Sequence, residues 1–306
     1  TTDGSTVSDV LAISSLDNPA DLPSIEELKK KVKDFADNLM ELKETPMIEE
    51  YYTGPVLFEG GAASRLFTDN LLSPGRLLAL RTMAPARGMR DEQLGRRIID
   101  SRLTVKNYTT LAEYNGTPLF GCYEIDGDGV VPAAELTLVE NGVFKRMLNG
   151  RVPTLKAPES TGSARFMISP DNPMAIVSPG TIHVQASKGV GPEKLKKALL
   201  KAAKEADLEY AYIVRRIGGE ASAVYKVNVK DGKEIRVRVN NLSAPELTKL
   251  MDLKGISSDE RVMNYFPNGV PASLIYPSAI IVGDVEINRT TPKIEEEPVL
   301  KHPLQR

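Results

Sequence analysis

The sequence predicts an α+β protein built on a large, curved, mixed β-sheet that is mostly antiparallel and has flanking helices. Segments in which apolar and polar residues alternate outnumber segments with helical spacing, and they occur in neighbouring pairs. Asn141-Gly142 and Asp231-Gly232 separate two such pairs, and both dipeptides favour the tight turns of β-hairpins. Strands that pair in hairpins, with few helices between them, are typical of this fold class.

The first predicted helix covers residues 24–44. Ser24 and Glu27 have the spacing of a capping box, in which the serine accepts an early backbone N–H and the glutamate reaches back. Pro46 marks the end of the segment. Apolar residues recur at intervals of three and four, which predicts an amphipathic helix; they are Ile25, Leu28, Val32, Phe35, Leu39 and Leu42.

The remaining pattern contains many short strands and few helices. Further helices are predicted at 60–72, 192–206 and 244–251. Strands are predicted at 54–58, 119–125, 134–139, 143–148, 174–177, 181–185, 209–216, 223–229, 234–239, 273–276 and 279–287. Residues 149–172 form a long polar loop, and loops of this length in compact domains are often functional.

The chain divides into three expected parts. Residues 1–50 hold a linker segment and the amphipathic helix, residues 51–290 form the main domain, and residues 291–306 are a proline-containing surface tail. The chain begins Thr1-Thr2-Asp3-Gly4, with neither an initiator methionine nor a signal peptide. We therefore expect it to begin within a longer protein, which leaves its localisation open between the bacterial cytoplasm and the cell envelope.

Composition argues against several classes of function. The 39 basic and 41 acidic residues are mixed throughout, whereas a nucleic-acid-binding protein would favour a basic face. No stretch approaches the roughly 20 apolar residues of a membrane-spanning helix. Cys122 is the only cysteine, and His183 and His302 are the only histidines, so disulfides and sites rich in cysteine or histidine are hard to build. We expect no cofactor, no bound metal, no nucleic acid and no membrane span.

Two segments carry the candidate peptide-contact residues. The carboxylates of Asp126 and Asp128 could bind a cation or a peptide amine, but Asp-Gly-Asp-Gly also suits a turn, which is the favoured interpretation. Ser160, Thr161 and Arg165 lie in the long polar loop. Arg165 could hold a peptide carboxylate or carbonyl through its planar guanidinium. The alternative is a surface loop that is ordered by its own hydroxyl groups.

Cys122 and His183 are interpreted as structural rather than reactive. Cys122 lies in the predicted strand 119–125 with no histidine nearby in sequence, which favours a packed thiol over a nucleophile. A lone histidine in an alternating strand such as 181–185 is more often a packed residue than a metal ligand.

Four segments carry a resemblance through their shared order and spacing. They are Tyr52-Thr53-Gly54-Pro55-Val56-Leu57-Phe58-Glu59, Gly116-Thr117-Pro118-Leu119 through Asp126-Gly127-Asp128-Gly129, Ser160-Thr161-Gly162-Ser163-Ala164-Arg165, and Gly269-Val270-Pro271-Ala272-Ser273 through Pro277-Ser278. Together they resemble the C-terminal half of the TldD/PmbA family, whose members are also called modulators of DNA gyrase. The resemblance covers nearly the whole chain, and it implies an N-terminal α/β domain before this region.

The resemblance also directs attention to the helix at 60–72. In the metallopeptidase branch of that family, this helix carries His-Glu-x-x-x-His, and a C-terminal cysteine completes a zinc site. A gap-free placement puts Phe67 and Leu72 at the two histidine positions and Thr68 at the glutamate position. Aromatic and aliphatic side chains offer no lone pair to a metal. The resemblance therefore points to the metal-free branch, similar to TldE and PmbA, in which one polypeptide pairs with a metal-bearing relative and the assembly cleaves extended peptides.

The leading hypothesis is a non-catalytic partner subunit or pseudo-peptidase. It would act on peptides as a homodimer or as a heterodimer with a metal-bearing TldD-type relative. One alternative is an active hydrolase with a different site, near Ser160 or Cys122. Another is a stand-alone peptide-binding protein of the cell envelope.

Overall fold

Two six-stranded sheets form the framework of the chain in the computed structural model, which describes residues 7–16, 18, 22–81, 90–167, 174–218, 222–239 and 242–288. The helices are α1 (Ile25–Glu44), α2 (Gly61–Leu71) and α3 (Pro192–Glu205). The strands are β1 (Tyr52–Glu59), β2 (Leu103–Tyr108), β3 (Glu113–Tyr114), β4 (Thr117–Pro118), β5 (Glu135–Glu140), β6 (Val143–Phe144), β7 (Ala164–Met167), β8 (Met174–Val177), β9 (Thr181–Ala186), β10 (Tyr210–Arg216), β11 (Ala223–Asn228), β12 (Glu234–Val237), β13 (Leu253–Ile256), β14 (Glu260–Tyr265), β15 (Ala272–Pro277) and β16 (Ala279–Ile287). The predicted α+β class is confirmed. Twelve of the described strands, most of them antiparallel, are divided between the two large sheets, and β3–β4 and β7–β8 form two-stranded sheets of their own.

The first sheet has the strand order β12-β11-β10-β1-β16-β13, with β1 and β10 parallel and the other pairs antiparallel. Its central strand β1 is buried on both faces, which explains the nearly continuous apolar run at residues 55–58. Val56 and Phe58 belong to the large core, whereas Leu57 packs in a second cluster with residues of α3. The sheet is therefore covered on both sides.

The second sheet has the order β14-β15-β9-β2-β5-β6, and its β15–β9 pair is parallel. Strand β2 alternates strictly, with Leu103 and Val105 buried in the same large core as the inner residues of the first sheet. Lys106 and Tyr108 point to the opposite face because side chains along a strand alternate. The main core thus lies between the two sheets, and the second sheet has a more polar outer face.

Helices α2 and α3 lie on opposite sides of the first sheet. Helix α2 follows β1 directly and contacts both that sheet and β15 of the second sheet. Helix α3 packs Leu195, Leu199 and Ala203 on the other face. No helix among the described residues combines the length and apolar content needed to cross a membrane.

Helix α1 begins with the predicted capping box, in which Ser24 Oγ accepts the Glu27 N–H at 3.3 Å and Glu27 Oε2 accepts the Ser24 N–H at 2.9 Å. Its apolar stripe is less buried than an amphipathic pattern suggests. Leu42 is the buried residue of the helix, while 65% of Ile25 and 56% of Val32 remain exposed. The helix therefore contacts the body of the chain mainly at its C-terminal end.

The structure corrects several predicted strands. The segment 119–125 forms no strand and instead follows the short β3–β4 hairpin, and the predicted strand 143–148 shortens to β6. The pattern did not predict β13 and β14. Gly255 lies within β13 and interrupts its apolar sequence pattern, because Leu195 and Ile281 leave no room for a side chain there. Strand β14 is only partly buried, so it lacks a clear apolar face. Strand β13 pairs with β16, from which it is separated by β14 and β15 in the chain, whereas β14 pairs with the next strand, β15.

Candidate functional site

Helix α2 places apolar carbon at the positions that the sequence resemblance compared with metal ligands. Phe67 is 1% exposed in the main core, and Leu72, which caps the helix, is 9% exposed. Thr68 is partly exposed, and its Oγ1 lies 3.2 Å from Asp69 Oδ1. Among the described residues, no group of three or more His, Cys, Asp or Glu could hold a metal ion.

Asp126 organises the turn at residues 126–130. Its carboxylate is 5% exposed and accepts three backbone N–H groups: those of Asp128 at 2.9 Å and Val130 at 2.8 Å on Oδ1, and that of Ala164 at 3.0 Å on Oδ2. Both oxygens are therefore engaged by the chain itself. This geometry favours the turn interpretation of the aspartate over a ligand-binding role.

Asp128 is held by an arginine from a distant segment. Arg81 donates Nη1 to Oδ2 at 2.7 Å and Nη2 to Oδ1 at 3.1 Å, and the Arg151 N–H adds a third bond to Oδ2 at 2.8 Å. The hydrogen bonds from Arg81 lower the pKa of Asp128. The bidentate pair fixes the turn 126–130 against residue 81 and the segment 149–151.

The hydroxyl groups of the long loop also bond to the loop itself. Thr161 Oγ1 accepts the Asn149 N–H at 2.7 Å and lies 3.0 Å from both Asn149 O and Ser163 Oγ. Ser160 Oγ accepts the Gly162 N–H at 3.1 Å. These contacts order the backbone of residues 160–163, and within the described part of the chain neither hydroxyl is bonded to a carboxylate or a histidine.

Arg165 has unused hydrogen-bonding capacity, as does the neighbouring Asn149 at Oδ1. Its guanidinium carbon lies 4.1 Å from the centre of the Tyr123 ring, and the Tyr123 hydroxyl donates to Gly162 O at 2.9 Å. Burial lowers the pKa of Arg165, and its Nη1 is buried without a protein acceptor. A buried donor without an acceptor is unfavourable, and a carbonyl or carboxylate would stabilise it if the side chain turned outward, because Nη1 has no contact with solvent in its present position.

The structure brings the five predicted residues to one region. The turn 126–130 and the segment 160–165, together called the paired loops, are joined by the Asp126–Ala164 bond and by the segment 149–151, which contacts both. The predicted loop 149–172 is interrupted by β7, so Ala164 and Arg165 lie at the start of a strand. A groove of about 470 Å³ lies beside them. It is lined by Ser160 and Thr161, by the basic residues Lys145, Arg146 and Lys156, and by apolar residues that include Leu94, Val131, Leu136 and Met147. Such a groove suits an extended chain with mixed side chains.

A second polar cluster lies on the outer face of the second sheet, and sequence reasoning missed most of it. His183 Nε2 lies 2.9 Å from Glu260 Oε1, and the Tyr114 hydroxyl donates to Glu260 Oε2. Burial acts to raise the pKa of Glu260, but its bonds to His183 and Tyr114 outweigh this and lower it. The bond to Glu260 raises the pKa of Tyr114 to about 12.

The cluster around His183 joins three elements, β9, β14 and the β3–β4 hairpin. The sequence predicted that His183 is a packed residue, and this is confirmed by its exposure of 7%. Glu260 could not be connected with it, because β14 was not predicted. No serine, threonine or cysteine that the structure describes is bonded to the imidazole, whose Nδ1 lies 3.4 Å from Gln185 Nε2. The arrangement therefore has the geometry of a structural hydrogen-bonded pair rather than of a nucleophile activated by a base.

Cys122 differs from its sequence interpretation. It lies outside any strand, is exposed, and donates its thiol to Leu111 O at 2.9 Å. Partial burial of the sulfur raises the pKa of the thiol. A raised pKa reduces the thiolate fraction at neutral pH, which disfavours a nucleophilic role.

Comparison with known proteins gives a family match and a fold match. The family model described as the PmbA/TldA metallopeptidase C-terminal domain matches residues 51–288. The crystal structure of TldE from Thermococcus kodakarensis is similar with a TM-score of 0.54 and 16% identity, over 84% of this chain and 55% of that one. A candidate modulator of a DNA gyrase from Thermotoga maritima gives 0.51 and 15%, over 90% and 60%.

At these identities the two structures establish a shared fold and no more. The present chain spans little more than half the length of each, 55% and 60%. A search of curated proteins by sequence gave no match.

Proposed function

The chain belongs to the PmbA/TldD family of metallopeptidase-related proteins, and from this premise we propose that it is a non-catalytic subunit that binds extended peptides. The observation that carries the proposal is the packing of α2. Phe67 and Leu72 fill core space where a zinc-binding member would need nitrogen ligands, and Thr68 cannot act as a general base. Hydrolysis would then require a metal-bearing subunit.

The paired loops support the peptide-binding part of the proposal. Extended peptides present a carbonyl and an N–H at every residue. An arginine N–H group that has no acceptor in the protein is a matching donor for the carbonyl. Arg165 provides that donor, and its stacking on Tyr123 restricts the guanidinium to one plane. The adjacent groove provides room and apolar contacts for side chains.

The proposed assembly is a homodimer, or a heterodimer with a metal-bearing TldD-type relative. In the heterodimer, this chain would hold the peptide while the relative supplies zinc-bound water for the attack on the peptide bond. The division of roles follows from the carbon side chains of α2 in this chain, which leave the chemistry to the partner.

Metal content and cleavage test the proposal together. The protein is incubated with Zn²⁺, dialysed and analysed for metal, and its cleavage of unfolded casein is measured alone and with a metal-bearing relative from the same genome. We expect far less than one zinc per chain, no cleavage alone, and cleavage in the mixture that a chelator abolishes. Stoichiometric zinc that is lost in a Thr68→Ala variant would contradict the proposal. Chelator-resistant cleavage by the protein alone would instead favour a hydrolase site near Ser160 or Cys122.

Arg165→Ala is expected to weaken binding of an extended peptide about tenfold, corresponding to about 1.4 kcal/mol. The change removes a donor that has no protein acceptor on Nη1, so the folded state should lose little beyond the stacking on Tyr123. Binding is measured by fluorescence anisotropy and folding by thermal melting. Arg65→Ala serves as the control, because Arg65 is an exposed arginine paired with Asp69 on α2. Unchanged peptide affinity in Arg165→Ala would remove the paired loops from the binding site.

A further inference from the structure

A second cavity, of about 400 Å³, lies at the C-terminal end of α2 and is distinct from the groove beside the paired loops. Its lining contains four arginines, Arg76, Arg90, Arg96 and Arg97, and a single carboxylate, Glu246. At neutral pH the lining therefore carries a surplus of three positive charges. The chain as a whole has a net charge of −2, so this concentration of positive charge is local.

Two of the guanidinium groups, those of Arg76 and Arg90, repel each other. Burial lowers the pKa of Arg76, and the neighbouring charge of Arg90 lowers it further, while Glu246 only partly offsets both effects. Like charges that converge in a partly desolvated cavity raise the energy of the protein, and a bound anion relieves this repulsion. The cavity is thus electrostatically prepared for a negatively charged group.

The cavity is held open by contacts that do not use the arginine side chains. Asn70 of α2 donates Nδ2 to Leu66 O at 3.0 Å and to Pro245 O at 2.8 Å, which fixes the helix end against the segment that carries Glu246. The backbone of Arg96 accepts the Phe144 N–H at 2.9 Å. The side chains of Arg96 and Arg97 are exposed, so they are free to turn toward a ligand.

We propose that this arginine cavity binds a peptide carboxylate, either a free C-terminus or the side chain of an aspartate or glutamate. The planar, forked guanidinium matches a carboxylate with two parallel hydrogen bonds. Ile98, Leu247 and Met251 complete the lining and offer apolar contacts to the residue that carries the carboxylate. The proposal rests on the peptide-binding function proposed above, and it adds a preference for acidic or free-ended substrates.

Three labelled peptides of otherwise identical sequence separate the two proposals. The first is neutral and amidated, the second has a free C-terminal carboxylate, and the third is amidated with one internal glutamate. We expect at least one carboxylate-bearing peptide to bind about tenfold more tightly than the neutral one, which corresponds to the strength of a bidentate charged pair. Which of the two gains affinity identifies the source of the carboxylate.

Variants then locate the effect in the cavity. Arg96→Gln combined with Arg97→Gln should abolish the preference for the carboxylate and leave binding of the neutral peptide unchanged. Glu246→Gln should increase the preference, because it removes the only competing carboxylate of the lining. Lys197→Gln combined with Lys201→Gln, on an exposed face of α3, removes the same two positive charges outside the cavity and should have no effect.

The outcomes are distinguishable. If all three peptides bind with equal affinity, the arginine cavity has no role and the peptide-binding function stands. If none binds, both proposals fail. If a carboxylate preference exists but survives the double arginine variant, the carboxylate is recognised elsewhere and the assignment to this cavity is wrong.

Discussion

Asp126→Ala is expected to lower the free energy of unfolding by about 3 kcal/mol, because it leaves one buried and two partly buried backbone N–H donors without an acceptor. The carboxylate of Asp126 accepts the N–H groups of Asp128, Val130 and Ala164, and water has little access to it at 5% exposure. The Ala164 bond also joins the turn 126–130 to the segment 160–165. Loss of this one side chain should therefore loosen both halves of the paired loops.

Urea denaturation of the purified variant measures the effect. Asp231→Ala is a matched control, since Asp231 also precedes a glycine in a turn but lies exposed and accepts only the Lys233 N–H, at 2.9 Å. We expect the control to lose less than about 1 kcal/mol. Asp126→Asn should fall between them because it keeps one oxygen as an acceptor. An Asp126→Ala protein as stable as the wild type, with peptide binding lost, would indicate that the carboxylate is a ligand after all.

Asp100→Ala should also cost about 3 kcal/mol, since Asp100 joins the two sheets. Its Oδ1 accepts Arg102 Nε at 2.9 Å, and its Oδ2 accepts Arg102 Nη2 at 2.7 Å and the N–H of Leu253 in β13 at 3.0 Å. Asp100 precedes β2 of the second sheet, whereas β13 is an edge strand of the first. The variant leaves the Arg102 guanidinium without its carboxylate and the Leu253 amide without an acceptor.

The same ion pair predicts how stability depends on pH. Burial acts to raise the pKa of Asp100, but hydrogen bonds from Arg102 and Leu253 outweigh it and lower the pKa to about 2. A carboxyl group with a lowered pKa contributes fully above its unfolded pKa, near 3.9, and this contribution is lost as the pH falls through about 2. Urea denaturation of the wild type and of Asp100→Asn, compared between about pH 5 and pH 2, should show a difference that shrinks by about 2 kcal/mol on acidification. A constant difference would show that Asp100 titrates normally in the folded state.

Local signals made the best predictions of structure. The capping box at Ser24 and Glu27, the hairpin turn at Asn141-Gly142 and the apolar run before α2 each specify their element within a few residues. The prediction of a strand at 119–125 was wrong because the conformation of this segment depends on a contact with a distant part of the chain. Its apolar residues alternate like a strand, but Gly121 approaches the backbone of Gly180 and Thr181 so closely that a Cβ would lie 2.4 Å from the Gly180 carbonyl carbon. That packing, which is invisible in sequence, holds the segment as an irregular arm.

The candidate sites also combine features that are recognisable in the sequence with contacts that arise only in the folded chain. The two segments of the paired loops could be named from turn-forming residues and loop length, but their meeting depends on Asn149 and Arg81, which carried no signal in the sequence. The arginine cavity was also missed. Its arginines come from positions 76 to 97, whereas Glu246 lies far from them in the sequence. Only folding brings the charges together.

Helix α1 has a consequence for how the chain opens. The apolar residues of its N-terminal turns are exposed to solvent. Its C-terminal turn is anchored by buried Leu42 and by the bonds of Arg236 to Glu41 and Asn38. Fluctuations should therefore begin at Ile25 and travel toward residue 44, at a free energy well below that of global unfolding. The two sheets can remain folded while the helix unwinds, so α1 should undergo local unfolding that is independent of global unfolding.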